Sequence, residues 1–200
     1  MAADPSIARA KAALRREMAA RCRALAAGAG TRAALSLADQ GLSALPDPSG
    51  RRIAGYLPFD DEIDPLPLMT ALAARGAALL LPVVRAPDAP LEFRRWRPGD
   101  RTVRGLHGNA EPAADAAVDE PDWVLVPLRA FDRRGGRLGR GRGCYDRTLA
   151  GLRARGAWLV GLAFACQEVD AVPMEPHDVA LDAVLTEAGL VTCAPQRRDG

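Results

Sequence analysis

Residues 123–147 read WVLVPLRAFDRRGGRLGRGRGCYDR. The stretch opens with a continuous apolar run, Trp123 to Leu128, which is typical of a β-strand covered on both faces. A loop rich in glycine and arginine follows, and from about Tyr145 the pattern predicts a helix. Ligands bind at the carboxyl ends of the strands in an open α/β sheet, so this loop lies where a binding site is expected.

Outside this stretch the chain continues to alternate between strand and helix patterns, which predicts an α/β protein with a parallel sheet. The glycines at 28–30 predict a break between the first two helices. The other predicted strands are 52–57, 77–84, 91–96 and 157–164, and the predicted helices are 6–27, 31–45, 64–75 and 145–155.

The composition limits the number of domains, the partners and the cellular location that we expect for this protein. A chain of 200 residues that is 48% hydrophobic suits one domain, which we expect over residues 1–193, with a disordered tail at 194–200. The net charge of +2 does not by itself indicate a nucleic-acid partner. Four widely spaced cysteines favour separate, reduced thiols, and the sequence shows neither a signal peptide nor a membrane span. We therefore expect a cytoplasmic protein with no membrane, nucleic-acid or obligate protein partner.

The loop after the 123–128 strand has the chemistry of an anion site. Its glycines, at 135, 136, 139, 141 and 143, let the backbone approach an anion closely, and a following helix N-terminus favours phosphate. Arg137, Arg140 and Arg142 add full positive charges. The spacing matches neither the Walker pattern nor the dinucleotide-binding pattern.

Two other interpretations of this loop stay open on composition alone. It could be a solvated, flexible arginine-rich segment, or an RNA-binding segment of the RGG type. The apolar strand on one side and the helix pattern on the other favour a folded anion site instead.

Lys11 is the only lysine among the 27 basic residues. It lies four residues after Ile7 and three before Leu14, which places it on the apolar face of the first helix. With Arg15 one turn further on, the two cations can point together at a polyanion. The alternative is a lysine that extends along the edge of the core to reach solvent.

Acidic residues follow two of the predicted strands. In the turn at 60–64, Asp64 is suited to cap the next helix, whereas Glu62 could accept paired hydrogen bonds from a pterin. Near the C-terminus, His177, Asp178 and Asp182 lack the further ligands that a zinc site needs, and a polar loop is the simplest interpretation. Asp182 could bind Mg²⁺ if it meets the glycine-rich loop in space.

Taken together and in order, five segments resemble the motifs of the 5-formyltetrahydrofolate cyclo-ligases, also called 5,10-methenyltetrahydrofolate synthetases. They are KAALR (11–15), YLPFDDEID (56–64), HGNAEP (107–112), VPLRAFDRRGGRLGRGRGCYDR (126–147) and LAFACQEVDAVPMEPHDVALDAVLTE (162–187). The resemblance implies a three-layer α/β/α Rossmann-like fold with a mainly parallel sheet. It also implies an ATP- and Mg²⁺-dependent conversion of 5-formyltetrahydrofolate to 5,10-methenyltetrahydrofolate, ADP and phosphate.

The same resemblance assigns residues to roles. Arg142 would stabilise the transferring phosphate, Leu57, Glu62 and Tyr145 would contact the folate, and Asp146 and Asp182 would hold Mg²⁺. ATP would be bound by Lys11, Arg15, Arg137, Leu138, Gly139, Arg140, Gly141, Arg142, Gly143, Cys144 and Tyr145. The chain departs from the family pattern at Cys144, which replaces the first tyrosine of the usual YYD, and at Arg129 and Arg142.

Two further hypotheses remain at this point. One is an RNA-binding accessory protein that uses the arginines of 129–147, and the other is a kinase or ligase of a different small molecule.

Overall fold

The apolar runs form the central strands of one sheet in the computed structural model, which describes residues 5–59 and 61–194. The helices are α1 Pro5–Ala44, α2 Leu66–Ala74 and α3 Cys144–Ala154, with a 3₁₀ turn at Ala165–Gln167. The strands are β1 Arg52–Ala54, β2 Ala78–Val83, β3 Glu92–Arg95, β4 Thr102–Arg104, β5 Ala110–Pro112, β6 Trp123–Pro127, β7 Ala130–Phe131, β8 Arg137–Leu138, β9 Trp158–Leu162, β10 Ala183–Thr186 and β11 Gly189–Thr192.

Seven strands make up the main sheet, in the order β11-β10-β9-β6-β1-β2-β3. The five central strands pair in parallel, whereas β3 and β11 join the two edges antiparallel. The mainly parallel sheet predicted from the sequence is therefore confirmed.

Helices cover both faces of this sheet because successive strand residues point to opposite sides. Ile53 packs in the same buried cluster as residues of α1 and α2, while its neighbour Ala54 packs in a second cluster with α3. Leu79 and Leu80 of β2 divide between the two clusters in the same way. The three-layer α/β/α arrangement is thus confirmed.

The break predicted at Gly28–Gly30 is wrong, because α1 is one continuous helix of 40 residues. A glycine inside a helix costs about 1 kcal/mol relative to alanine, which is a small penalty beside tertiary packing. Cys22 before the glycines and Leu37 after them are both fully buried in the same cluster. Packing on both sides of the glycines outweighs their low helix propensity.

Two small hairpins lie outside the main sheet. β4 pairs with β5. β7 pairs with β8 directly after β6, and residues 139–143, the glycine-rich loop, connect this hairpin to α3. Of the predicted tail only Ala194 is described, and 195–200 lie outside the described residues. Over the described part of the chain, no helix combines the length and the apolar character that crossing a membrane requires.

Candidate active site

A cavity of about 420 Å³ opens where β1, β2 and β6 end. Its wall includes Leu57, Val84 and Leu128, which follow these three strands, together with the first half of α1 and the glycine-rich loop. Every site residue predicted from the sequence lines this cavity, with the exception of Asp182. These residues are Lys11, Arg15, Leu57, Glu62, Arg137, Leu138, Gly139, Arg140, Gly141, Arg142, Gly143, Cys144, Tyr145 and Asp146.

The glycine-rich loop takes a backbone path that requires glycine. Gly141 and Gly143 have φ angles of +92° and +68°, a region that other residues rarely adopt. Gly143 directly precedes α3, so the loop leads into the positive end of that helix. Arg15 Nε donates a hydrogen bond to the carbonyl oxygen of Gly139 at 2.9 Å, which fastens the loop to α1.

The hairpin before the loop is buried, which argues against a flexible arginine-rich segment. Arg137 is 4% exposed and Asp132 is 1% exposed. Asp132 Oδ1 accepts hydrogen bonds from the backbone N–H groups of Arg134 and Gly136, at 2.9 and 3.0 Å. The backbone that precedes the loop is therefore fixed before any ligand arrives.

Lys11 lies inside the cavity wall with an exposure of 7%. Its Nζ atom lies 2.7 Å from Glu175 Oε2 and 2.6 Å from Asp178 Oδ2. Burial alone would lower the pKa of Lys11, but the hydrogen bonds and charges of these carboxylates outweigh it and raise the pKa. The lysine thus stays charged and points into the site rather than out to solvent.

Arg137 and Asp146 form a second ion pair in the wall, with 2.5 Å between Nη2 and Oδ1. Asp146 lies in the first turn of α3, where negative charge is favourable. Arg137 Nε is buried and has no hydrogen-bond partner among the residues that the structure describes. A buried donor left unpaired is costly.

Glu62 also lines the cavity, and other groups of the protein hold its carboxylate in place. Its Oε1 accepts a hydrogen bond from Arg140 Nε at 2.7 Å, and its Oε2 accepts one from the backbone N–H of Phe59 at 3.0 Å. The Arg140 guanidinium also lies 4.4 Å above the Phe59 ring centre. Arg140 therefore contacts the Glu62 side of the cavity, not only the glycine-rich loop to which it belongs.

Arg15 and Arg142 are two further cations that line the cavity. Within residues 5–59 and 61–194, neither Arg15 nor Arg142 has a carboxylate at salt-bridge distance, and Arg142 is exposed. Both guanidinium groups can therefore neutralise an incoming anion without first breaking an ion pair.

Aromatic and sulfur side chains complete the wall near α3. Burial, followed by the negative charge of Glu62, raises the pKa of Tyr145, so its phenol stays protonated. Cys144 begins α3, and its Sγ lies 3.8 Å from His107 Nε2 of the β4–β5 turn. The thiol and the imidazole thus lie side by side in this part of the wall.

The structure does not bring Asp182 to the cavity. Asp182 directly precedes β10, at the amino ends of the parallel strands, whereas the cavity lies at their carboxyl ends. Its Oδ2 accepts the N–H of Leu159 at 2.8 Å, and its Oδ1 pairs with Arg153 at 3.0 Å. These contacts join β9, β10 and α3, so we leave Asp182 out of the metal site.

Several cavity residues had no assigned role in the sequence analysis. Glu175 and Asp178, in the PMEPHD segment, face Lys11, and together with His177 they form a group whose ligand atoms lie within 4.8 Å of one another. His107 and Asn109 enter from the β4–β5 turn. These residues belong to the HGNAEP and PMEPHD segments that carry the family resemblance. The sequence of these segments does not show which side chains point into the cavity.

Asp64 contacts the start of α2, although Pro65 and not Asp64 is the N-cap residue of this helix. Its Oδ1 accepts the N–H of Leu66 at 2.9 Å. The cysteine prediction also agrees with the structure, since Cys22, Cys144, Cys166 and Cys193 are all free.

The fold and the cavity define an α/β protein with a glycine-lined cavity, which carries several cations, at the carboxyl ends of its parallel strands. Residues 7–187 match the model of the 5-formyltetrahydrofolate cyclo-ligase family. The chain belongs to this family.

Relatives and solved structures agree with this membership. A 5-formyltetrahydrofolate cyclo-ligase of Mycolicibacterium smegmatis is 40% identical over 145 residues, which cover 69% of this chain and 74% of that protein. The protein of the same name from Escherichia coli K12 is 37% identical over 139 residues, covering 67% and 76%. The NMR structure of Aquifex aeolicus 5,10-methenyltetrahydrofolate synthetase has a TM-score of 0.77 at 28% identity and covers 95% of this chain and 94% of its own.

Proposed function

We propose that this protein converts 5-formyltetrahydrofolate and ATP to 5,10-methenyltetrahydrofolate, ADP and phosphate in a Mg²⁺-dependent reaction. The observation that carries the proposal is that a single cavity is lined by Lys11 and Arg15 of α1, by the glycine-rich loop and by Glu62. Membership of the cyclo-ligase family over residues 7–187 supports the same reaction.

The proposed chemistry has two steps. The γ-phosphoryl group of ATP moves to the formyl oxygen, the bond to the β-phosphate oxygen breaks, and ADP leaves. N10 of the folate then attacks the formyl carbon and loses its proton, and the carbon–oxygen bond breaks to release phosphate. The protein needs no covalent nucleophile for this reaction, because positioning and charge stabilisation suffice.

Lys11, Arg15 and the glycine-rich loop are proposed to bind the triphosphate. Backbone N–H groups of the loop and the N-terminus of α3 favour phosphate oxygens, and Arg15 already anchors the loop. Arg142 is proposed to stabilise the transferring phosphoryl group, because its exposed side chain lines the cavity and can follow the charge as it moves.

Glu62, Leu57 and Tyr145 are proposed to bind the folate. Each Glu62 oxygen already accepts one hydrogen bond from the chain, and a carboxylate oxygen can accept a second one. The pterin amino group and ring N–H would supply these. Tyr145 stays a neutral phenol at neutral pH and can pack against the folate without adding charge.

Magnesium fits the carboxylates of the cavity. Mg²⁺ prefers oxygen ligands and commonly takes one or two carboxylates together with substrate phosphates. Asp146 is the proposed ligand retained from the sequence, and Asp178 is a second carboxylate that lines the same cavity. When bound, the ion would neutralise charge on the phosphate oxygens.

The reaction is proposed to take place in the cytoplasm, with ATP and the folate as the only partners. Four free cysteines are consistent with a reducing compartment.

The test is to mix purified protein with 5-formyltetrahydrofolate, ATP and Mg²⁺ and to follow the absorbance of the methenyl product. We expect product to form only when all three are present, with one ADP released for each methenyl group. Absence of an ATP-dependent rise would refute the proposal.

Binding measurements separate the proposal from its alternatives. If ATP raises the melting temperature but the folate does not, a kinase or ligase of another small molecule becomes the better explanation. Salt-dependent RNA binding without turnover would favour the RNA-binding hypothesis.

A further inference from the structure

Arg129 carries a buried charge that the proposed reaction does not use. It follows β6 and is 7% exposed, and its Nη1 makes a short hydrogen bond to Asp61 Oδ2. Asp61 itself is 8% exposed and belongs to the same turn as Glu62. A buried arginine paired with a buried aspartate therefore joins the end of β6 to the loop after β1.

The pair extends into the cavity through Arg140. Asp61 Oδ1, the oxygen that Arg129 does not use, lies 2.5 Å from Arg140 Nη2. Arg140 Nε lies 2.7 Å from Glu62 Oε1. The four side chains thus form one chain of contacts, Arg129–Asp61–Arg140–Glu62, with two positive and two negative charges.

This arrangement fixes the orientation of Glu62. The guanidinium group of Arg140 is planar and rigid. Binding of Asp61 to its Nη2 therefore sets the direction in which its Nε donates to Glu62. Glu62 is a cavity residue, whereas Arg129 and Asp61 do not line the cavity. Arg129 can therefore affect a ligand only through the side chains that it positions.

We propose that Arg129 is a positioning residue for the folate side of the site, acting through Asp61 and Arg140 to hold Glu62 in its binding orientation. The proposal rests on the proposed function and extends it.

The electrostatics of Asp61 agree with this role. Burial alone would raise the pKa of the Asp61 carboxyl, but the hydrogen bonds and charges of Arg129 and Arg140 outweigh it and lower the pKa. Asp61 is therefore ionised at neutral pH and remains bound to both arginines.

The experiment compares the steady-state kinetics of Arg129→Met and Asp61→Asn with those of the wild type, varying folate and ATP separately. We expect KM for 5-formyltetrahydrofolate to rise about tenfold in each variant, while KM for ATP changes less than about twofold. The double variant should be no worse than the single variants, because both break the same chain of contacts. Arg129→Lys should recover part of the affinity, since it restores the charge without the planar guanidinium group.

Arg94→Met provides a matched control. The Arg94 side chain is 8% exposed, close to the 9% of Arg129, and it pairs with Glu92 outside the cavity. If Arg129 has only a structural role, Arg129→Met and Arg94→Met will both have lower melting temperatures than the wild type. Their KM values for folate and ATP will be unchanged. That result, or an equal rise in KM for ATP and folate, would overturn the proposal.

The wild-type assay separates this inference from the proposed function. A wild type that forms no methenyl product refutes the proposed function itself. An active wild type with an unchanged folate KM in Arg129→Met refutes only the role of Arg129.

Discussion

Replacing Lys11 by methionine would leave two carboxylates facing each other without their shared cation. Nζ lies 2.7 Å from Glu175 and 2.6 Å from Asp178, whose side chains are 12% and 6% exposed. Methionine keeps most of the volume and removes the charge. The variant therefore tests the ion cluster rather than the packing of α1.

The expected loss follows from the burial of the cluster. Removing one partner of a buried ion pair costs about 3–5 kcal/mol, and the low end applies here because the cluster borders an open cavity. A loss of about 3 kcal/mol corresponds to a fall in melting temperature of roughly 6–12 °C for a chain of this size.

The pH dependence gives the sharper signature. The pKa of Lys11 is raised in the folded state, so its contribution to stability is fully present below its unfolded value of about 10.4 and is lost as the pH rises through the folded value. Lys11→Met has no amine to titrate. The deficit of the variant relative to the wild type should therefore be constant between pH 7.5 and pH 9 and shrink by pH 11.

Thermal unfolding followed by circular dichroism, at pH 7.5, 9 and 11, provides the measurement. A deficit that is as large at pH 11 as at pH 7.5 would refute the buried cluster. The same variant should bind ATP more weakly in the absence of folate, and unchanged ATP affinity would refute the role of Lys11 in the nucleotide site.

Two further predictions concern the acidic residues. Asp146→Asn should raise the Mg²⁺ concentration for half-maximal rate on the order of tenfold or more, whereas Asp182→Asn should leave it unchanged, and equal shifts would contradict the metal assignment. Asp61 has a lowered pKa, so its contribution to stability is present above the unfolded value of about 3.9 and is lost as the pH falls through the folded value. Asp61→Asn should therefore lose less melting temperature between pH 5 and pH 3 than the wild type, and parallel melting curves for the two proteins would count against the ion pairs of Asp61.

The sequence predicted those parts of the site that depend on local pattern. The apolar run at 123–128 and the glycines that follow it determine a strand and a loop within about 20 residues of each other, and the position of Lys11 on α1 follows from helical periodicity. Each of these predictions depends only on residues that are close together in the sequence. Contacts between distant segments do not affect them.

Contacts between distant segments were not predictable in this way. Arg140 pairs with Glu62 across 78 residues, and Lys11 pairs with Asp178 across 167. Asp182 illustrates the opposite error, since the sequence suggested that it could meet the glycine-rich loop. Its position just before β10 places it at the amino ends of the strands, although it is only four residues from Asp178. The chain between these two residues runs from the cavity at the carboxyl ends of the strands back to their amino ends, where β10 begins.

The prediction of a helix break at Gly28–Gly30 is wrong for a related reason. Glycine lowers helix propensity locally, but whether the helix continues depends on what its flanking residues bury. That burial involves α2 and the sheet, which lie later in the chain.

The central claim is that this cavity is the active site of an ATP-dependent cyclo-ligase, and the initial rate of methenyl formation in Arg142→Ala beside the wild type tests it most directly. The Arg142 side chain lines the cavity and has no ion pair within the described part of the chain, so its removal should leave the melting temperature unchanged. We expect ATP-dependent turnover in the wild type and a kcat at least about 100-fold lower in the variant. A wild type without ATP-dependent product, or an Arg142→Ala variant with the wild-type rate, would contradict the claim.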